Sequence, residues 1–382
     1  MELYDVVVIG VGGMGSAALF HAARCGARVL GLEQFDIPHD RGSSHGQTRV
    51  IRLAYWEHPS YVPLLRRAYE LWHELEHVAG RTLLVTTGSI DAGPADSRPM
   101  RGALEACQRF DLAHEMLDAA ALRRRFPGYR LPRDLVAVFQ PDGGFVLPEQ
   151  CVLAHVHAAQ AHGATVQMQE PVVEWTADAD GVVVRTTRGS YTTRRLVLTA
   201  GPWVGKIAGA LRPVVSVERQ VVMWVTPRVP EYFQVDRFPV FYLHGSEGSF
   251  YGIPMFDGRG FKIGKYHHRR QVVDPDAVER VCDAEDERVL REAIRHYFPD
   301  ADGPATSMET CLFTNTADEH FIIDRLEPRV VVAGGFSGHG FKFCSVVGEI
   351  LAELALDGAS RHDISLFTGS RFKGFRTRNP EP

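Results

Sequence analysis

Several clusters in this 382-residue chain combine side chains able to do chemistry. Gly10, Gly12 and Gly15 form G-x-G-x-x-G directly after a β-branched run. Glycines at that spacing let a backbone turn tightly, approach a pyrophosphate and pack a helix against a sheet, with the phosphates at the positive helix end. Glu33 follows about 20 residues on, where a carboxylate binds an adenosine ribose 2′-OH and repels a 2′-phosphate. The polar loop beyond it holds His39, Arg41, His45, Arg49 and Arg52. Two arginines three apart suit two different anions, although a solvated polar loop has the same composition. Lys262-Ile-Gly-Lys-Tyr-His-His268 puts two lysines and two histidines at a strand end. A buried lysine there that stays charged attracts a reduced-oxygen species, and a neutral histidine holds an amine; a solvated basic turn fits as well. Gly334 to Lys342 is a second glycine cluster between a strand and a helix, with backbone N–H groups for an anion and Lys342 as a point charge for a carboxylate. A glycine-rich helix entry with a surface lysine is its bland equivalent. Cys311 stands alone among apolar residues, usually a packing position.

The elements that position these residues are legible from periodicity. Val6–Ile9 reads as a strand buried on both faces, followed by a helix ending near Gly26 and a second strand over Val29–Leu32. From Ser60 to Val78 the apolar residues Leu64, Leu65, Ala68, Leu71, Trp72 and Leu75 recur at helical spacing, with Ser60 as N-cap and Gly80 beyond the end. Helical spacing returns over Val152–Ala161, Glu285–Tyr297 and Val346–Leu356. Strands are expected at Ala164–Gln169, in a hairpin from Gly181 past Gly189, at Leu196 to Ala200-Gly201, and at Val330–Ala333. The strand into Gly201 suits a second contact for the adenosine half of FAD. Val214–Pro227 and Phe238–Lys265 suggest a second, mostly antiparallel sheet. The fold class is therefore α/β, a Rossmann-like dinucleotide-binding domain with a second domain of α+β type.

Bulk properties narrow the partners. Forty-two basic against 47 acidic residues give a net charge of −5, so no nucleic-acid partner is implied. The basic tail with Arg371, Lys373, Arg376 and Arg378 reads as a solvated end. No apolar run reaches the roughly 18 to 20 residues that cross a bilayer, and a cytoplasmic protein is expected. The six cysteines show no CxxC pair or metal-like spacing, and no metal is expected.

Taken together, the motifs resemble the monomeric sarcosine oxidase family, which includes N-methyltryptophan and pipecolate oxidases. The resemblance rests on G-x-G-x-x-G, Gly42-Ser-Ser-His-Gly-Gln-Thr-Arg-Val-Ile-Arg52, Lys262-Ile-Gly, Thr310-Cys-Leu-Phe-Thr, Asp318-Glu-His-Phe-Ile-Ile-Asp and Gly335-Phe-Ser-Gly-His-Gly-Phe-Lys-Phe, in order along essentially the whole chain. It implies a discontinuous FAD-binding domain over 1–85, 145–212 and 320–382, and a substrate domain over 86–144 and 213–319. It implies FAD contacts at Gly10, Gly12, Gly13, Met14, Gly15, Glu33, Ser44, His45, Arg49, Val173, Gly201, Gly338, Gly340, Phe341 and Lys342, and a thioether from Cys311 to the flavin 8α carbon. Arg52 and Lys342 match the clamp for the substrate carboxylate, with Tyr242 on the pocket wall. Lys262 matches the lysine that activates oxygen, and Arg49, Tyr251 and His267 match further active-site positions. One extra residue in this stretch leaves His268 open for the histidine. Phe313 and Tyr242 stand where the sarcosine-specific pattern has a tyrosine and a methionine, which alters the pocket wall. The implied protein is a monomer oxidising a small amine with O2: a secondary amino acid such as sarcosine gives an imine, then formaldehyde, with hydrogen peroxide as co-product. Oxidation of pipecolate or N-methyltryptophan, a flavin dehydrogenase with another acceptor, and a non-catalytic NAD-binding regulator are the alternatives.

Overall fold

The computed structural model describes residues 3–375; Arg376 and Arg378 of the basic tail lie outside them. The β-branched run falls in the strand Leu3–Ile9, whose residues from Val6 onward are all buried. It pairs in parallel with Val29–Leu32 on one side and with Ser190–Leu198 on the other. Thr165–Gln167 adds a parallel strand beside Val29–Leu32, and Val330–Gly334 adds one beside Ser190–Leu198. Val172–Ala177, Val182–Thr186 and Ile322–Glu327 join antiparallel, making an eight-stranded sheet. Helices Gly13–Arg24, Pro148–Ala161 and Cys344–Leu356 share a core with Val6 and Val8. The helix read from Ser60 spans Tyr61–Ala79 with its apolar stripe buried, and ends at Gly80 with φ +63°. Ser60 precedes it without capping it, since its hydroxyl accepts no helix N–H.

The second sheet has nine strands, antiparallel except where Val240–Gly245 runs parallel to Ser89–Pro94. Its alternation makes the site. Val221, Met223, Val225, Phe261 and Ile263 face the helix Ala284–Tyr297 in an aromatic-rich core. Successive side chains on a strand point to opposite faces, so Val222 and Lys262 turn the other way. Ala305–Thr316 lies antiparallel to Val215–Val225 with Cys311 opposite Gln220, and Tyr251 is opposite Gly264. A small third sheet, formed by Arg49–Ile51, Leu84–Thr86 and Gly144–Val146, ties the basic loop to the rest. No helix among the described residues is long and apolar enough to cross a membrane.

Candidate functional site

One continuous cavity runs from the first glycine turn to the second sheet. At the turn, Gly10 takes φ +88°, and a Cβ on it would fall 2.6 Å from the Thr199 carbonyl oxygen. A Cβ on Gly15 would fall 1.8 Å from the Gly10 carbonyl oxygen, so only glycine lets the helix approach this closely. Gly15 therefore shapes the turn without lining the cavity, whereas Gly10, Gly12, Gly13 and Met14 form its wall. No acidic residue occupies the first turn of the helix, and the Gly13 N–H donates to Ser44 Oγ at 3.1 Å. The helix end thus presents positive potential to the cavity with no carboxylate in its own first turn. Glu33 sits beside the turn, its two oxygens accepting the Val11 N–H at 2.9 Å and the Phe35 N–H at 3.1 Å. Burial raises its pKa and these backbone donors oppose the rise. Gly201, with φ +50°, also reaches the wall. Val173 does not: strand alternation turns its side chain outward, 64 % exposed, and Val172 lines the cavity instead.

Midway along, Arg49 donates through Nη2 to the Ser43 carbonyl at 3.0 Å and lies 3.5 Å from Cys311 Sγ. Ser43 Oγ donates to the Leu312 carbonyl at 2.6 Å, pinning the basic loop beside the cysteine. Burial pushes the Cys311 thiol up, but the Arg49 charge and His45 outweigh it and hold the thiol down at about 6. Burial likewise opposes charge on His45, yet Cys311 and Glu309 raise it to about 9. His45 lies behind the wall, 3.9 Å from Glu309, with a buried Nε2 that has no hydrogen-bond partner. The result is a thiolate and an imidazolium side by side.

The far end collects charge in an aromatic frame. Arg52, 4 % exposed, donates through Nε to both oxygens of Asp91 at 3.0 and 3.3 Å, and lies 3.4 Å from both oxygens of Glu57 through Nη2. Its guanidinium stands 4.9 Å from the Tyr55 ring and 5.8 Å from Tyr242. Asp91 is fully buried, and burial lifts its carboxyl to about 6 against the pull of Arg52. Lys342 donates to the His339 carbonyl at 2.8 Å; burial and the Arg52 charge push its ammonium down to about 7. His339 Nε2 donates to the Glu319 carbonyl at 2.9 Å, which leaves Nδ1 to accept the Tyr55 hydroxyl at 2.5 Å. Burial holds this imidazole neutral, down to about 4. Tyr242, Tyr251, Phe313, Gly338 and Gly340 also line the cavity, as does Phe341, which packs against Gly13 at the first turn, and burial raises the Tyr251 phenol.

Lys262 and the two histidines are not on the cavity wall. Lys262 is buried behind the wall, its Nζ donating to the Gly46 carbonyl at 2.6 Å, the Thr48 carbonyl at 3.0 Å and Thr48 Oγ1 at 3.2 Å. Burial and the Arg49 charge press its pKa well down. His267 is not at the cavity; its nitrogens lie 2.8 Å from Glu218 and 2.9 Å from Glu319. His268 points to the opposite side, with Nε2 3.0 Å from Asp286. The residue of this turn that reaches the cavity is Tyr266. Sequence reasoning also missed Tyr55, Glu57, Asp91 and His339. The first two follow the basic loop within five residues of Arg52, a signal that was available, whereas Asp91 meets Arg52 only through sheet packing.

Comparison with known proteins gives a consistent picture. The model of a family described as FAD dependent oxidoreductase matches residues 5–354. A monomeric sarcosine oxidase of Streptomyces avermitilis is 42 % identical over 375 residues, covering 96 % of this chain and 97 % of that protein. An N-methyl-L-tryptophan oxidase of Yersinia pestis is 36 % identical over 375 residues, with 97 % and 100 % covered. Among solved structures, NikD, described as an unusual amino acid oxidase of nikkomycin biosynthesis, superposes with a TM-score of 0.85 at 28 % identity over 100 % of both chains.

Proposed function

The chain belongs to the FAD dependent oxidoreductase family, and from that premise we propose that it oxidises an N-methyl amino acid such as sarcosine. The observation that carries the reading is the paired set of Arg52 and Lys342 at the far end of a cavity whose near end is a dinucleotide turn. The residues fit FAD: Gly10, Gly13 and Gly15 have no room for a Cβ, an added Cβ on Gly12 would meet nothing nearer than Ser44 Oγ at 3.6 Å, and the buried Thr314 Oγ1, on the wall, has no protein partner. The pyrophosphate would lie at the Gly12–Gly13 turn, the ribose at Glu33 and the ring near Cys311, with Cys311 attached to it. Bound FAD supplies a two-electron oxidation of the substrate C–N bond to an imine, which water splits to formaldehyde and the demethylated amino acid, with O2 as acceptor and hydrogen peroxide formed.

The chain's own residues do the positioning. Arg52 Nη1 has no partner among the described residues, so it and Lys342 are free to take the two oxygens of a substrate carboxylate. Fixing that end places the N-methyl group at one spot in the cavity, where orientation supplies much of the rate. Half-buried Trp56 and Tyr242, 5.6 Å apart, screen the site from water. The sheets support a division into a cofactor unit of 1–85, 145–212 and 320–382 and a substrate unit of 86–144 and 213–319, since each large sheet draws its strands from one set. The protein acts as a cytoplasmic monomer, the monomer supported by the name of the Streptomyces relative. The test is a panel of sarcosine, N-methyltryptophan and pipecolate with peroxide detection. Fastest turnover on sarcosine is expected; dye reduction without peroxide would assign another acceptor.

Lys262 contributes its charge from behind the wall. Burial and the Arg49 charge press against the ammonium while three oxygens accepting from Nζ oppose them, and the charge these oxygens hold stabilises negative charge developing on oxygen. Lys262→Met is expected to leave anaerobic flavin bleaching by substrate within about twofold and slow reoxidation by at least about tenfold. Stopped-flow traces of the two half-reactions check this, and equal losses in both remove the role.

A further inference from the structure

We propose that Tyr266 sets the size of the amine this chain accepts, its ring being the wall that closes the substrate end of the cavity. The inference rests on reading that cavity as an N-methyl amino acid site. Tyr266 is the member of the Lys262–His268 stretch that reaches the cavity, and its backbone N–H, which donates to the Ser249 carbonyl at 2.8 Å, its hydroxyl and its ring are all held there. Its hydroxyl donates to the Ser337 carbonyl. Ser337 is itself fixed, with φ +47° and its N–H donating to the Thr314 carbonyl at 2.8 Å. The ring packs on Phe313 with centroids 5.4 Å apart. Phe313 cannot retreat, because Gly338 presses so close that a Cβ there would lie 2.3 Å from the Phe313 ring.

The backbone under the ring is equally constrained. His267 has φ +53° and is clasped between Glu218 and Glu319, while the His268 N–H donates to Gln220 Oε1 at 3.0 Å. Glu218 is held in turn by Gln220 at 2.8 Å and Asn315 at 3.0 Å. A wall that cannot give discriminates by volume, since steric overlap with a larger substrate is relieved neither by rotation of the ring nor by a shift of the turn. Burial and the nearby charges of Glu319 and Glu57 raise the Tyr266 phenol, consistent with a ring lying close to the acid beside Arg52.

The measurement is the ratio of kcat/KM for N-methylphenylalanine to that for sarcosine, in protein whose flavin content is read from its absorbance. Tyr266→Ala is expected to raise the ratio by at least about tenfold, the scale on which a pocket discriminates by size. Tyr266→Leu should raise it less, and serves alone if the alanine variant fails to retain flavin. Tyr266→Phe keeps the ring and should stay within about threefold of wild type. A ratio unchanged in both the alanine and leucine variants overturns the inference, as does a rise in the phenylalanine variant equal to that in alanine. Wild-type protein that oxidises neither amine fails the parent reading instead, and this one with it.

Discussion

Replacing Arg52 with methionine is expected to raise the KM for an N-methyl amino acid by roughly a hundredfold and to leave flavin bound. A charge-assisted hydrogen bond contributes about 1.5–3 kcal/mol, and each 1.4 kcal/mol is tenfold in binding. Loss of the bond from Nη1 together with the charge behind it therefore reaches about 3 kcal/mol. The same change has a second consequence. Asp91 is fully buried and Arg52 is its partner at 3.0 and 3.3 Å. Breaking a buried pair by removing one side costs about 3–5 kcal/mol, because the remaining charge is left uncompensated. Asp91 already titrates at about 6 with Arg52 present. In the variant its folded pKa rises further above that of the unfolded chain, so the native state binds the extra proton and stability falls as pH rises. Arg52→Met should thus be more stable at pH 5 than at pH 8 in urea unfolding. The double variant Arg52→Met, Asp91→Asn should recover most of the stability and none of the KM. Recovery of both would assign Arg52 a structural role alone.

The fold was legible where period and turn chemistry agreed. Val6–Ile9, the glycine turn and Val29–Leu32 each imply the next, so the first sheet could be read from one end. Tyr61–Ala79 followed from its apolar stripe. The site was legible only as far as local motifs reach. Glu33, Arg49, Arg52, Cys311 and Lys342 sit in such motifs, and the structure brings all five to one cavity. Facing was harder. A strand whose two neighbouring residues are both valine gives no sign which one turns inward, and Val172 rather than Val173 does. Lys262 is on the correct face of its strand, yet three carbonyl and hydroxyl oxygens behind the wall draw its Nζ away from the cavity. Positive φ at His267 swings that ring out to Glu218 and Glu319 and leaves Tyr266 facing in. Asp91 was beyond reach, because its partner is 39 residues away and they meet only across the packed sheets.

The strongest consequence concerns Cys311. A sulfur in an apolar strand ordinarily stays a thiol, since burial disfavours the thiolate. Here Arg49 lies 3.5 Å from Sγ and charged His45 adds to it, so the thiol titrates at about 6 while His45 keeps its proton up to about 9. Between those values the pair is a thiolate beside two cations, the form that bonds to carbon. Wild-type protein is therefore expected to keep its yellow colour in the pellet after acid precipitation, and Cys311→Ser to release all of it to the supernatant. The rate at which apoprotein supplied with FAD becomes acid-stable should climb as pH rises through about 6, because the thiolate fraction climbs there. Arg49→Met removes the larger of the two opposing charges, so its midpoint should move upward toward the ordinary thiol value. Flavin in the wild-type supernatant would remove the linkage and leave the FAD site standing. An unshifted midpoint in Arg49→Met would instead make His45 the group that activates the sulfur.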